Sequence, residues 1–252
     1  MIDIEIIKSI AKKAGIEILK IYSESDFDIK NKSDESPVTL ADLLSNKIIT
    51  EELTKHYPSI PILSEESAHA SYEIRKNWTE LFIVDPLDGT KEFIKKNGEF
   101  AINIAYMKNG VIIDGLIYSP VSKEIFYTKN NKSYKEINGE ELELPIFYNE
   151  PFRVFVSKSH YNEETKKLID LKRIDKPDLI EIKLGSALKF CKIAEGYAHY
   201  YPRMAPTSEW DTAAAEPILR NIGYKIINAE TGNALIYNKE NLLNPSFIVD
   251  KI

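Results

Sequence analysis

Leu81-Phe82-Ile83-Val84-Asp85-Pro86-Leu87-Asp88-Gly89-Thr90 runs four apolar residues straight into an acid, a proline and a second acid, then glycine and threonine. An unbroken apolar run of this length reads as a strand buried on both faces. Pro86 fixes its φ and offers no amide donor, and Gly89 permits close backbone approach. The segment can therefore aim the Asp85 and Asp88 carboxylates and the Leu87 carbonyl at one point, a partial oxygen shell for a hard cation. Gly89 and Thr90 add backbone amides and a hydroxyl where an anion could sit. The same residues are also good turn chemistry, so their meaning depends on what surrounds them.

Working backwards, Ile6, Ile7, Ile10, Ala14, Ile18 and Leu19 recur at helical spacing and predict an amphipathic helix over residues 3–22. Residues 23–37 are polar and read as a loop. A second helix is expected from Leu40 to His56, stopped by Pro58, and a short strand at Pro61–Ser64 ends on Glu65-Glu66. Asp42, three residues after Thr39, has the spacing of a capping box.

Working forwards, Ala101–Met107 and Val111–Tyr118 flank Asn109-Gly110, a strong hairpin signal because both turn positions favour positive φ. Glu124–Thr128 adds a strand, and Asn130–Glu141 reads as an exposed polar excursion. After Pro151 the pattern alternates. It predicts strand (Arg153–Val156), helix (Glu163–Leu171), strand (Leu179–Lys183), helix (Ala187–Ala194) and strand (Tyr197–Tyr200), an α/β unit. A helix over Thr212–Asn221 and a strand near Tyr224–Asn228 follow. Asp211, just before that helix, could be its N-cap. A boundary near residue 148 divides an α+β unit (1–148) from an α/β unit (149–252).

The 252 residues carry 43% hydrophobic and 29% charged side chains, enough for a sizeable core. A formal charge of −6 argues against binding a nucleic-acid polymer, which needs a basic face. A small phosphorylated ligand stays compatible, because a bound cation inverts the local field. No apolar run is long enough for a membrane span and no export signal opens the chain, so a cytoplasmic protein is expected, with peripheral attachment to the inner membrane as the variant. One cysteine, Cys191, and four histidines disfavour disulfides and transition-metal sites. Any metal should be held by oxygens: magnesium, calcium or manganese.

Pro37-Val38-Thr39-Leu40-Ala41-Asp42, Ser64-Glu65-Glu66, Val84–Thr90 and Glu209-Trp210-Asp211-Thr212-Ala213-Ala214 together resemble the inositol monophosphatase superfamily in order and spacing, over nearly the whole chain. In the second half, Val156-Ser157-Lys158-Ser159-His160, Leu184–Cys191, Ala194-Glu195-Gly196 and Tyr201-Pro202-Arg203 look like the 3'(2'),5'-bisphosphate nucleotidases of the CysQ type. Lys158 stands where arginine is common and Ala187 where serine is common.

The resemblance implies a layered α-β-α-β-α sandwich, combining α+β and α/β character. It implies hydrolysis of the 3'-phosphate of adenosine 3',5'-bisphosphate to AMP and phosphate, extending to the sulfated nucleotide, with lithium sensitivity and a role in sulfur metabolism. It further implies two to three magnesium ions, with manganese as a substitute. Glu65, Asp85 and the Leu87 carbonyl would hold one ion, and Asp85, Asp88 and Asp211 another. A third, weaker ion would share Glu65 with water, and Asp42 with Thr90 would deprotonate the attacking water. Gly89, Thr90, Ser157, His160, Ser186, Lys189, Arg203 and Asp211 would contact a small phosphorylated nucleotide. The assembly would be a monomer or homodimer. Inositol monophosphate and sugar bisphosphates are the alternative substrates. A catalytically silent metal-binding regulator is the alternative class, disfavoured because Asp42, Glu65, Asp85, Asp88 and Asp211 are all present.

Overall fold

A computed structural model describes residues 2–24, 29–31, 37–146, 151–158 and 161–251. The chain opens with α1 (Ile4–Ser23), capped by the Asp3 side chain accepting from the Glu5 amide. Two three-residue strands pair antiparallel: β1 (Ile29–Asn31) lies inside the span expected to be loop, and β2 (Pro37–Thr39) begins at its last residue. Then come α2 (Leu40–His56), β3 (Ile62–Ser64), the single turn α3 (Tyr72–Arg75), β4 (Glu80–Asp88) and α4 (Thr90–Ile94). The antiparallel run β5 (Ala101–Lys108), β6 (Val111–Ser119), β7 (Glu124–Lys129), β8 (Lys132–Ile137) and β9 (Glu140–Glu143) completes a seven-stranded sheet ordered β3-β4-β5-β6-β7-β8-β9.

The expected excursion at 130–141 is instead the far edge of this sheet. Its turns use the chemistry recognised at Asn109-Gly110: Asn130 and Asn131 have φ of 53° and 58°, and Asn138-Gly139 has 53° and 81°. Its charged residues are partnered within the fold. Lys135 is buried between Glu124 and Glu195, and Glu136 pairs with Lys8 at 2.5 Å. Ion pairing lets a strand of such polarity sit against a core.

The second half supplies β10 (Arg153–Ser157), α5 (Glu163–Asp175) and β11 (Ile180–Leu184), whose strands pair in parallel as a βαβ unit should. After α6 (Leu188–Ala194) come β12 (Tyr201–Arg203) and β13 (Thr207–Ser208), a 3₁₀ turn at Glu209–Asp211, α7 (Ala215–Arg220), β14 (Tyr224–Asn228), β15 (Leu243–Asn244) and β16 (Phe247–Lys251). The strand expected at Tyr197–Tyr200 lies later, at Tyr201–Arg203, with Tyr200 contributing one bridge to Val154. The helix expected from Thr212 begins at Ala215, because Glu209–Asp211 forms the tighter turn ahead of it. The boundary placed at 148 falls in residues 147–150, outside those described.

Three hydrophobic clusters define the layers. Ile7, Ile10, Ile18, Ile49 and Leu53 of α1 and α2 pack on Phe82, Val84, Ile102 and Ile104 of the large sheet. The alternate residues of those strands, Leu81, Ile83, Ala101 and Ala105, meet Phe190 and Ile193 of α6, Ile218 and Leu219 of α7, and Tyr224, Phe247 and Val249 of the small sheet β12-β16-β14. Val154 and Val156 of β10 then bury Ile169 of α5. Read through the molecule, this is helix, sheet, helix, sheet, helix: the α-β-α-β-α sandwich. Strict alternation on β4 and β5 serves both helix-covered faces, as a sheet enclosed on both sides requires.

Candidate metal and anion site

Everything in the site hangs on the end of β4. Asp85 pairs with Asn103 and Asp88 with Ala101, so three steps along β4 match two along β5. One extra residue is accommodated as a bulge. In a regular strand, residues three apart point to opposite faces; the bulge brings Asp85 and Asp88 to the same one. Pro86 has no amide to lose there, and its carbonyl accepts from Ser45 Oγ at 2.7 Å. The Leu87 amide donates to Asp85 Oδ1 at 3.0 Å. Gly89 follows with φ 97°, and a Cβ there would stand 2.8 Å from the Glu99 carbonyl, which accounts for the glycine.

Asp85, Asp88 and Asp211 each offer a carboxylate oxygen within 4.8 Å of the others. Glu65 and Leu87 line the same cleft, Glu65 from the end of β3, where its amide donates to the Val84 carbonyl at 3.1 Å. This donor set, oxygen only, fits a hard divalent cation. Its electrostatics point the same way. Burial, then the charges of Glu65, Asp88 and Asp211, hold the Asp85 carboxyl well above the usual range. Burial lifts Asp88 to about 6 against the pull of Lys189, and burial with the charges of Asp88 and Glu65 lifts Asp211 to about 8. Carboxyls this crowded ionise together only when a cation or protons offset their repulsion.

Asp42 and Asp211 are each the third residue of a capping box. Thr39 N and Oγ1 donate to Asp42 Oδ2 at 2.8 and 2.6 Å, and Ser208 N donates to Asp211 Oδ2 at 2.7 Å. Asp42 thus caps α2 as its spacing predicts, whereas Asp211, expected as the N-cap of the next helix, instead closes a box capped by Ser208, and Ala214 precedes α7. The other oxygen of Asp42, Oδ1, accepts from Thr90 Oγ1 at 2.9 Å. Burial raises the Asp42 pKa.

The cleft, of about 280 Å³, continues from these acids towards a cationic end. Ser157, Lys158, Ser186, Lys189 and Arg203 line it, with the rings of Phe190, Tyr201 and Phe247 packed edge and face beside them. Arg203 Nη1 donates to Ser157 Oγ at 2.8 Å. Lys189 Nζ donates to the Ser186 and Leu184 carbonyls at 2.6 and 3.2 Å, and burial lowers its pKa to about 8 against the attraction of Asp88. The loop it fastens has Ser186 at φ 49° and sends the Ala187 amide to Asp88 Oδ2. His160 lies outside the described residues. Every other candidate metal, catalytic or substrate-contacting residue lines this cleft or, as Asp42 does, bonds to one that does.

The sequence reading missed Glu99. Its two oxygens take Lys158 Nζ at 2.5 Å and the Gly185 amide at 2.7 Å, tying β10 and the 184–187 loop to the start of β5. It also missed the aromatic wall. Phe190, Tyr201 and Phe247 look like core residues in sequence, and the structure sets them along the cleft.

The chain matches the model of the inositol monophosphatase family over residues 3–250. It is 40% identical over 248 residues to the 3'(2'),5'-bisphosphate nucleotidase CysQ of Salmonella typhimurium, covering 98% of each chain. It is 38% identical to the protein of the same description from Escherichia coli (strain K12), covering 95% of this chain and 96% of that one. Among solved structures, CysQ from Bacteroides thetaiotaomicron superposes with a TM-score of 0.86 at 39% identity, covering 98% of this chain and 97% of that one. Matched end to end in sequence and layer by layer in fold, with its carboxylates gathered at the bulge of β4, this chain belongs to the inositol monophosphatase family.

Proposed function

We propose that the protein is a magnesium-dependent 3'(2'),5'-bisphosphate nucleotidase that removes the 3'-phosphate of adenosine 3',5'-bisphosphate, leaving AMP. The observation that carries this is a single cleft with carboxylates at one end and Lys158, Lys189, Arg203 and an aromatic wall at the other. A ligand filling it needs a phosphate at the acidic end, a second anion and a planar group. That pattern fits a nucleoside bisphosphate better than a polyol monophosphate, which has nothing for the cationic end. The names of the relatives support the same choice.

Glu65, Asp85, Asp88, Asp211 and the Leu87 carbonyl are the residues that would hold the cations. When bound, magnesium ions neutralise phosphoryl oxygens and make a coordinated water more acidic. The Thr90 hydroxyl, fixed by Asp42 Oδ1, is placed to orient the attacking water and pass its proton to Asp42, whose raised pKa makes it the better base. Arg203 and Lys189 offer charge to the 5'-phosphate, and Ser157, Ser186 and His160 offer hydrogen bonds. The aromatic wall receives the adenine. In this reading residues 1–148 form the unit carrying most of the carboxylates. Residues 149–252 form the unit that reads the nucleotide and supplies Asp211.

The test is phosphate release from adenosine 3',5'-bisphosphate and from inositol 1-phosphate, each with magnesium and with chelator. Magnesium-dependent release that favours the nucleotide supports the proposal. Equal or greater release from inositol 1-phosphate overturns the substrate, and undiminished release in chelator overturns the cation.

A further inference from the structure

Asn103 sits in the middle of β5, only 1% exposed, and neither its Oδ1 nor its Nδ2 finds a hydrogen-bond partner among the described residues. A buried amide without partners is costly, on the order of 1–3 kcal/mol for each unmet group, and such groups call for an explanation. The location supplies one. Asn103 stands directly opposite Asp85 in the β4–β5 ladder. Residues opposed in this way have side chains on the same face with Cβ atoms roughly 5 Å apart. That face is the inner one, since Leu81 and Ile83 on β4 and Ala101 and Ala105 on β5 share it in the core between the sheets. The 3₁₀ turn bearing Asp211 packs on both β4 and β5. The unpartnered amide is therefore set beside Asp85, on the face against which the Asp211 turn packs.

Its chemistry matches two complementary partners. Nδ2 is a donor and suits a carboxylate oxygen; Asp85 has one to spare, because only Oδ1 is taken by the Leu87 amide. Oδ1 is an acceptor and needs a donor, which no ionised carboxylate offers. A cation-bound water is such a donor. We propose that Asn103 is a positioning residue of the acidic centre: with a divalent cation bound there, its Nδ2 would donate to the Asp85 carboxylate and its Oδ1 would accept from a water carried by that cation. The amide carries no charge, so it orients Asp85 without competing with the cation for it, as groups supporting metal ligands commonly do. The inference rests on reading the acidic cluster as a cation centre.

The experiment is calorimetric titration of the metal-free full-length protein with Mn²⁺, alongside thermal melts in chelator, for Asn103→Leu, Asn103→Ser and Asp85→Asn. Asn103→Leu keeps the branching of the side chain, adds volume, and removes both polar atoms. Its melting temperature in chelator should equal or exceed that of the unmodified protein, while Mn²⁺ binding weakens about tenfold or more. Asn103→Ser, with shorter polar reach, should also weaken binding, and it carries the test should the leucine variant melt early. Mn²⁺ affinity within twofold of the unmodified protein in both Asn103 variants, with binding lost in Asp85→Asn, overturns the inference alone. Unchanged binding in Asp85→Asn as well would instead remove the cation centre on which it rests.

Discussion

Stripping the metal should give this protein an inverted pH dependence of stability. Asp88 and Asp211 have folded-state pKa values of about 6 and about 8, against roughly 4 for an aspartate in an unfolded chain. Both are raised. The stability they contribute is therefore complete below about pH 4 and is lost as the pH rises through 6 for Asp88 and through 8 for Asp211. Taking metal-free protein from pH 8 down to 5 protonates Asp211 over about three units and Asp88 over about one, at roughly 1.4 kcal/mol per unit. Lys189, lowered to about 8, opposes this by only about half a kcal/mol, since most of its penalty is already incurred above pH 8. The net gain is of order 5 kcal/mol, or roughly 10 °C in melting temperature for a chain of this length. Scanning calorimetry in chelator at pH 8, 7, 6 and 5 reads it directly. Saturating magnesium should flatten the slope by replacing protons as the counter-charge. A melting temperature in chelator that falls steadily from pH 8 to 5 would refute the reasoning. So would an Asp211→Asn protein with the full slope.

Asp88→Asn should fold with a melting temperature in chelator at or above that of the unmodified protein, yet lose about 100-fold or more in kcat; full activity at saturating magnesium would count against the site. Thr90→Ala should lower kcat by about 100-fold with KM nearly unchanged, and Thr90→Ser should restore most of it, as steady-state kinetics will show. Gly115→Ala should cost several kcal/mol in urea unfolding, because the new Cβ would lie 2.0 Å from the Ala214 carbonyl oxygen. Lys135→Met removes the buried cation between Glu195 and Glu124, leaving Lys192 as their remaining cationic partner, and should cost about 1–3 kcal/mol by the same measurement.

Signals confined to one element were readable in the sequence. Helix α2 runs Leu40–His56 as expected, because Thr39 caps it and Pro58 lies just past its end. The acids of the site were visible because each sits at the end or beginning of such an element. Legibility failed where charge concealed shape. Asn130-Asn131 and Asn138-Gly139 are hairpin turns as sound as Asn109-Gly110, but lysines and glutamates flank them, and the ion pairs that make those strands tolerable come from distant elements. It failed again wherever a role depends on a partner far along the chain. Glu99 binds the Gly185 amide across 86 positions, and nothing near Glu99 in sequence signals it. Asn103 looks like one polar residue in a strand until the register sets it against Asp85.

The paired capping boxes have a consequence for how this site can change over time. At Asp42 and Asp211 one carboxylate oxygen serves a local cap, and at Asp42 the other accepts from Thr90 Oγ1. An asparagine at either position can keep its oxygen on the cap and present an amide where the second carboxylate oxygen was. Such a protein would still fold while offering a donor where an acceptor is required. An alanine would forfeit both. Loss of activity through a single base change is therefore open to this chain without loss of its architecture. A lineage that abandoned the reaction could keep the scaffold intact and put the cleft to a different use.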